Sequence, residues 1–183
     1  MPGRIVIVSG PPGAGKSTIA RRLAAGSPSE LAIHLHTDDF YAYIKKGFVA
    51  PWLPESQAQN ITVMRALAAS AAAYALGGYD VFVDGIVGPW FFDPWKAVAA
   101  EHGLDLRYVA LAPDEATTVA RATARTAPGA MTDESVVRTM WAHFQTYAPQ
   151  AASRLDTTGQ SAADSAAQLA AGLAAGRFRL EDA

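Results

Sequence analysis

One octet at residues 10–17, Gly-Pro-Pro-Gly-Ala-Gly-Lys-Ser, constrains this chain more than anything else in it. It meets the pattern G-x-x-x-x-G-K-[ST] at every fixed position. Before it, Arg4-Ile-Val-Ile-Val-Ser9 is a β-branched run suited to a buried parallel strand. After it, Thr18-Ile-Ala-Arg-Arg-Leu-Ala-Ala25 spaces its apolar residues as a helix does. Strand, glycine loop and helix in that order make an anion cradle. Gly10, Gly13 and Gly15 permit the backbone angles and close approach by which main-chain N–H groups surround phosphate oxygens. Pro12, Ala14 and Thr18 belong to the same expected set of nucleotide contacts. Lys16 supplies a positive charge to the β- and γ-phosphates, and the Ser17 hydroxyl is placed to ligate Mg2+. The motif predicts binding of a nucleoside triphosphate.

At 183 residues the chain is read as one domain with room for a real core. Strand signals at Arg4–Ser9, Leu31–His36, Tyr79–Asp84, Leu106–Leu111 and, more weakly, Ser153–Asp156 alternate with helix signals. The helices are expected at Lys16–Ala25, just after Asp38, and at Gln57–Leu76, Pro94–His102, Asp114–Ala124, Asp133–Tyr147 and Ala162–Ala175. Alternation of this kind predicts an α/β fold, a parallel sheet covered by helices on both faces. Two stretches, Lys45–Ser56 and Ala124–Met131, are the least regular and are expected to move, and 177–183 is expected to be a loosely held tail. The formal net charge is −2 with no basic block, which argues against a nucleic-acid partner. With no cysteine, disulfides and thiolate metal sites are excluded. No apolar run is long enough for a membrane span, and no leader is seen before the loop, so a cytoplasmic protein without a membrane partner is expected, as monomer or homodimer.

Ligands of such sheets bind beyond the carboxyl ends of the strands, and carboxylates stand there. The third strand closes on Asp84, in the position of a magnesium-holding Walker B aspartate. The second ends in Thr37-Asp38-Asp39. Neighbours on an extended backbone cannot both point into the site, so one of Asp38 and Asp39 faces the γ-phosphate while the other caps the following helix. Arg121 and Arg125, four apart on one helix face, precede Pro128 and Gly129. Arginines on a mobile flap can neutralise charge on a transferring phosphoryl group; the plainer alternative is a solvated helix face. Arg138 is a weaker third candidate. The four histidines (His34, His36, His102, His143) lack metal spacing; His34 and His36 share one strand face, where a packed or hydrogen-bonded role is expected.

Together the octet, Thr37-Asp-Asp-Phe40, Gly78-Tyr-Asp-Val-Phe-Val-Asp84 and the Arg121/Arg125 pair resemble the small P-loop kinases. More narrowly, they look like the chloramphenicol phosphotransferase, zeta-toxin and polynucleotide-kinase branch of the AAA-type P-loop proteins. The likeness spans about Arg4 to Ala175. It implies a three-layer P-loop NTPase sandwich with a five-stranded parallel sheet of order 2-3-1-4-5, and a kinase domain over 1–176 with a lid near 121–131. It also implies ATP as phosphoryl donor, Asp38 as the base and Arg121 and Arg125 as lid arginines. The loop after the last strand, with Thr157 and Gly159, would lie against the adenine. ATP and GTP are not distinguished by any signature.

For the acceptor, Phe40–Trp52 and Trp90–Trp95 carry nine of the chain's seventeen aromatics. Between Asp38 and Asp84 the cations are only Lys45, Lys46 and Arg65. A carboxylate or phosphate acceptor would call for arginine. The expected substrate is therefore a neutral hydroxylated small molecule of the antibiotic or natural-product kind, held by Asp39, Phe40, Trp52, Asp84, Trp90 and Phe91. The alternatives are a kinase of a sugar acid or nucleotide sugar, and a regulatory NTPase with no acceptor.

Overall fold

The run Arg4–Ser9 becomes β1 and lies at the centre of the sheet, where both of its faces are covered. A computed structural model describes residues 2–126, 130–146 and 153–180. After β1 come α1 (Lys16–Ala25), β2 (Ala32–His36), α2 (Thr37–Ala42), α3 (Gln57–Leu76), β3 (Asp80–Asp84) and α4 (Phe92–His102). There follow β4 (Asp105–Leu111), α5 (Glu115–Thr123), α6 (Glu134–Thr146), β5 (Arg154–Leu155) and α7 (Ala162–Ala174). Short 3-10 turns at Pro54–Ser56 and Pro89–Phe91 lead into α3 and α4. All strand pairs are parallel, in the order β2-β3-β1-β4-β5. This is the three-layer α/β sandwich and the strand order expected from the P-loop resemblance.

The pleat of β1 sorts the core into two halves. Ile5 and Ile7 face α3 and α4 together with Val81, Val83, Leu106 and Tyr108; Val6 and Val8 face α1 and α7 together with Phe82, Val109 and Leu111. Each fully buried aliphatic side chain contributes about 1.5–3 kcal/mol relative to exposure, and β-branched residues on both faces make that available along the whole strand. Alanines at 68, 71, 72 and 75 let α3 lie close to the sheet. A capping box, Ser161 with Asp164, starts α7. Among the described residues no helix is long and apolar enough to cross a membrane.

Two expectations are corrected. Residues 177–180 are not loosely held: β5 pairs only with Ala110 and Leu111, which leaves the amino-terminal half of the β4 edge open, and the chain returns to cover it. Tyr108 N donates to Phe178 O at 2.8 Å, Leu180 N to Leu106 O at 3.1 Å, and Arg107 bridges Arg179 in antiparallel fashion. The Phe178 ring is buried beneath α7. Residues 181–183 lie outside the described residues. The stretch Lys45–Ser56, expected to move, is laced to α3. Gln59 makes both hydrogen bonds of a backbone partner to Val49, and Asn60 Nδ2 donates to Pro51 O at 2.8 Å.

Candidate active site

The phosphate loop is formed as its sequence demands. Gly15 caps α1 from the left-handed region, at φ 91°, and Gly13 sits at φ 87°. A Cβ on Gly13 would also strike the Thr118 carbonyl, so glycine there lets α5 rest on the loop. Lys16 Nζ donates to Pro11 O at 3.0 Å. Burial pushes its amine down to about 8; the charge of Asp84 opposes this, Arg125 adds to it and Asp38 opposes it.

Asp84 ends β3 opposite Val8 on one side and His36 on the other. Its side chain is wholly buried. Ser17 Oγ donates to Oδ2 at 2.5 Å, His34 Nε2 is bonded to Oδ1, and His36 Nε2 stands 3.6 Å from Oδ2. Burial alone would raise this carboxyl. The hydrogen bonds from His34 and Ser17, with the fields of His36 and His34, outweigh it and hold the group below the usual carboxylate range. Gly85 follows, and a Cβ there would collide with Thr37; the missing side chain is what seats the start of α2 against the end of β3. The donor set of Ser17 hydroxyl and Asp84 carboxylate is hard oxygen, the kind magnesium takes, and a carboxylate plus a hydroxyl suffices when phosphate and water complete the shell. Among the described residues, no three His, Cys, Asp or Glu side chains gather to hold a metal unaided.

Two clefts are lined by residues of the expected site. The first, about 310 Å³, is lined by Gly13, Ala14, Gly15, Thr18, Ile19, Arg121, Arg125, Gln160, Ala162 and Ser165. The two arginines differ in it. Arg121 donates to Thr157 O at 3.2 Å and Gln160 O at 2.8 Å, so its guanidinium is tied to the loop after β5. Arg125 is exposed at the end of α5, and its field reaches Lys16. Arg138 pairs with Glu115 and Glu134 and links α6 to α5, an exposed contact that adds little stability. Thr157 is buried, with its hydroxyl left without a partner, and neither it nor Gly159 lines the cleft; Gln160, Ala162 and Ser165 do, which the sequence reading missed. Pro128 and Gly129 of the expected lid lie outside the described residues.

The second cleft, about 520 Å³, is lined by Asp38, Tyr41, Ala42, Ile44, Phe48, Pro51 and Trp52. Asp38 is its only charged lining residue, 82% exposed. Its negative charge favours the charged form of Lys16, where that of Arg125 opposes it. Asp39 does not line the cleft, and the cap of α2 is His36, whose Nδ1 accepts from Asp38 N at 3.1 Å, not either aspartate. Beside Asp38, burial and then its charge push the Tyr41 phenol up to about 12.

The expected aromatic wall divides. Trp52, 76% exposed, and Phe48 belong to the cleft. Phe91, expected to touch substrate, is 8% exposed and packs in the core with Phe92 and Trp95. Phe40 packs against the same core and stacks at a tilt on Tyr43. Trp90 lies at the surface edge-on to Phe91 and lines neither cleft. In sequence an apolar 3-10 turn entering a helix looks like a ligand wall, and only the depth of the following helix decides where its rings go.

Residues 5–147 match the family described as AAA domain. No curated protein matches the chain. Among solved structures, a tunicamycin resistance protein from Deinococcus radiodurans superposes with a TM-score of 0.68 at 15% identity, over 93% of this chain and 95% of that one. The Mycobacterium tuberculosis APS kinase CysC in complex with AMPPNP and APS gives 0.66 at 20% identity, over 94% and 98%. A gluconokinase from Sinorhizobium meliloti 1021 gives 0.61 at 20%, over 96% and 97%. At these identities the likeness shows a shared fold, that of small P-loop kinases, in line with the resemblance read from the sequence.

Proposed function

The chain belongs to the AAA domain family, and from that premise we propose that it is an ATP-dependent O-phosphotransferase. It moves the γ-phosphate to a hydroxyl of a neutral small molecule of the antibiotic or related natural-product kind. One observation carries this reading. The cleft that Asp38 borders is lined by Tyr41, Phe48, Trp52 and aliphatic residues, with no cation among its lining residues. Sugar acids and nucleotide sugars bring a carboxylate or phosphate that such a wall does not pair. A tunicamycin resistance protein among the structural neighbours is in keeping with an antibiotic-type acceptor.

In this reading the loop amides cradle the phosphates, and Lys16 turns from the Pro11 carbonyl to the β- and γ-phosphoryl oxygens. Ser17 and Asp84 would hold magnesium. Bound there, the ion neutralises charge on the phosphate oxygens. Asp38, at the mouth of the second cleft, accepts the proton of the acceptor hydroxyl as that oxygen attacks. Arg125 faces the phosphate side, and Arg121 braces the loop that walls the nucleotide cleft. Phe48, Pro51 and Trp52 cover the apolar part of the acceptor and keep water from the transfer.

A panel of neutral hydroxylated antibiotics, sugar acids and nucleotide sugars, each incubated with labelled ATP, tests the proposal. Label is expected on a neutral alcohol. Transfer confined to anionic acceptors, or ATP turnover indifferent to every acceptor, overturns it.

A further inference from the structure

Two histidines on β2 have no part in the phosphate-loop chemistry described so far. His34 and His36 lie on one face of the strand, ring centroids 6.4 Å apart. Both meet a carboxylate some fifty residues away in sequence. Parallel pairing puts His36 directly opposite Asp84, and His34 reaches it from one pleat below. Oδ1 of Asp84 is bonded to His34 Nε2, and Oδ2 accepts from Ser17 Oγ. His36 Nδ1 accepts the Asp38 backbone N–H, which leaves Nε2 as the nitrogen that can donate. That nitrogen stands 3.6 Å from Asp84 Oδ2 and 3.9 Å from Asp38 Oδ2. A carboxylate turns easily about its last torsion, so a donor fixed on one oxygen decides what the other can face.

We propose that His34 and His36 are positioning residues for the metal ion. His34 anchors Oδ1 of Asp84 so that Oδ2, beside Ser17, is the oxygen turned toward the cation. His36 caps the helix start bearing Asp38 while its Nε2 stands 3.6 Å from that carboxylate. The inference rests on reading Ser17 and Asp84 as magnesium ligands. Donors behind a ligating carboxylate are worth about 10–100-fold in metal affinity, whereas histidines that merely fill a buried corner would alter folding and nucleotide binding alike.

Calorimetry of ATP binding over a Mg2+ titration, with a parallel series in EDTA, separates the two. His34→Ala is expected to raise the Mg2+ midpoint about tenfold or more while leaving metal-free ATP affinity as in the wild type. His34→Gln, which restores an N–H of similar reach, recovers most of the loss. His36→Asn keeps a cap acceptor and shifts the midpoint less than His34→Ala. If the alanine variant does not fold, His34→Phe supplies a ring without a donor. An unshifted midpoint, or equal loss of ATP binding with and without magnesium, overturns the inference. A wild-type protein whose ATP binding ignores Mg2+ removes the magnesium reading and this one with it. A wild-type response with an unshifted His34 variant sinks this one alone.

Discussion

Asp38 and Asp39 are adjacent, yet only Asp38 borders the second cleft and sends its field to Lys16. If Asp38 takes the acceptor proton, Asp38→Asn lowers transfer about 10²–10⁴-fold with ATP affinity nearly unchanged, and Asp39→Asn costs far less; steady-state kinetics beside calorimetry would show it. Full transfer by Asp38→Asn would move the base elsewhere. Lys16 carries a pH prediction. Its amine, lowered to about 8 by burial against the opposing charge of Asp84, loses its proton in the free protein as pH rises through 8. A neutral amine offers phosphate no charge, so ATP affinity falls above that pH. Bound phosphates favour the charged form, so binding at pH 8 and above takes up a proton. Calorimetry in buffers of different ionisation enthalpy reads that uptake, and a buffer-independent heat at pH 8.5 would count against it.

At the scale of elements, the telling piece is the connection from α2 to α3. Phe48 and Trp52 are half-exposed or more, and such residues on a slack loop would collapse onto the surface. They do not, because Gln59 holds Val49 through N and O, and Asn60 and Ser56 hold Pro51. For the proposed acceptor, a wall built this way would need no ordering before binding. Gln59→Ala removes two hydrogen bonds, about 1–2 kcal/mol. For the proposed reaction it raises the acceptor KM with the ATP KM unchanged. Trp52→Ala raises the acceptor KM too, without lowering the melting temperature, since the ring is mostly in solvent. Equal effects of either change on both substrates would show that the wall is not the acceptor's.

For the whole molecule, the end of the described chain is structural. Phe178 closes the core under α7, and its neighbours complete the β4 edge. Phe178→Ala is expected to cost about 3–5 kcal/mol, read as a lowered midpoint in thermal or urea unfolding; a change under about 1 kcal/mol would mean that the segment is only laid against the sheet. Short-range pattern was enough for much of this protein. The phosphate loop, β1 with two buried faces and the alternation that makes a parallel sheet are written in contiguous residues, because backbone angles and pleat are local matters. So is Asp84 at a strand end. Other features are settled by which strands become neighbours. His34 and His36 meet Asp84 only because β2 pairs with β3 in one register; Phe91 sinks into the core while Trp52 stays out; Arg121 is bound to a loop beyond β5; and residues 177–180 find an edge that a two-residue β5 leaves uncovered. Contacts between segments tens of residues apart depend on register and depth, and neither leaves a periodic mark in the segments themselves.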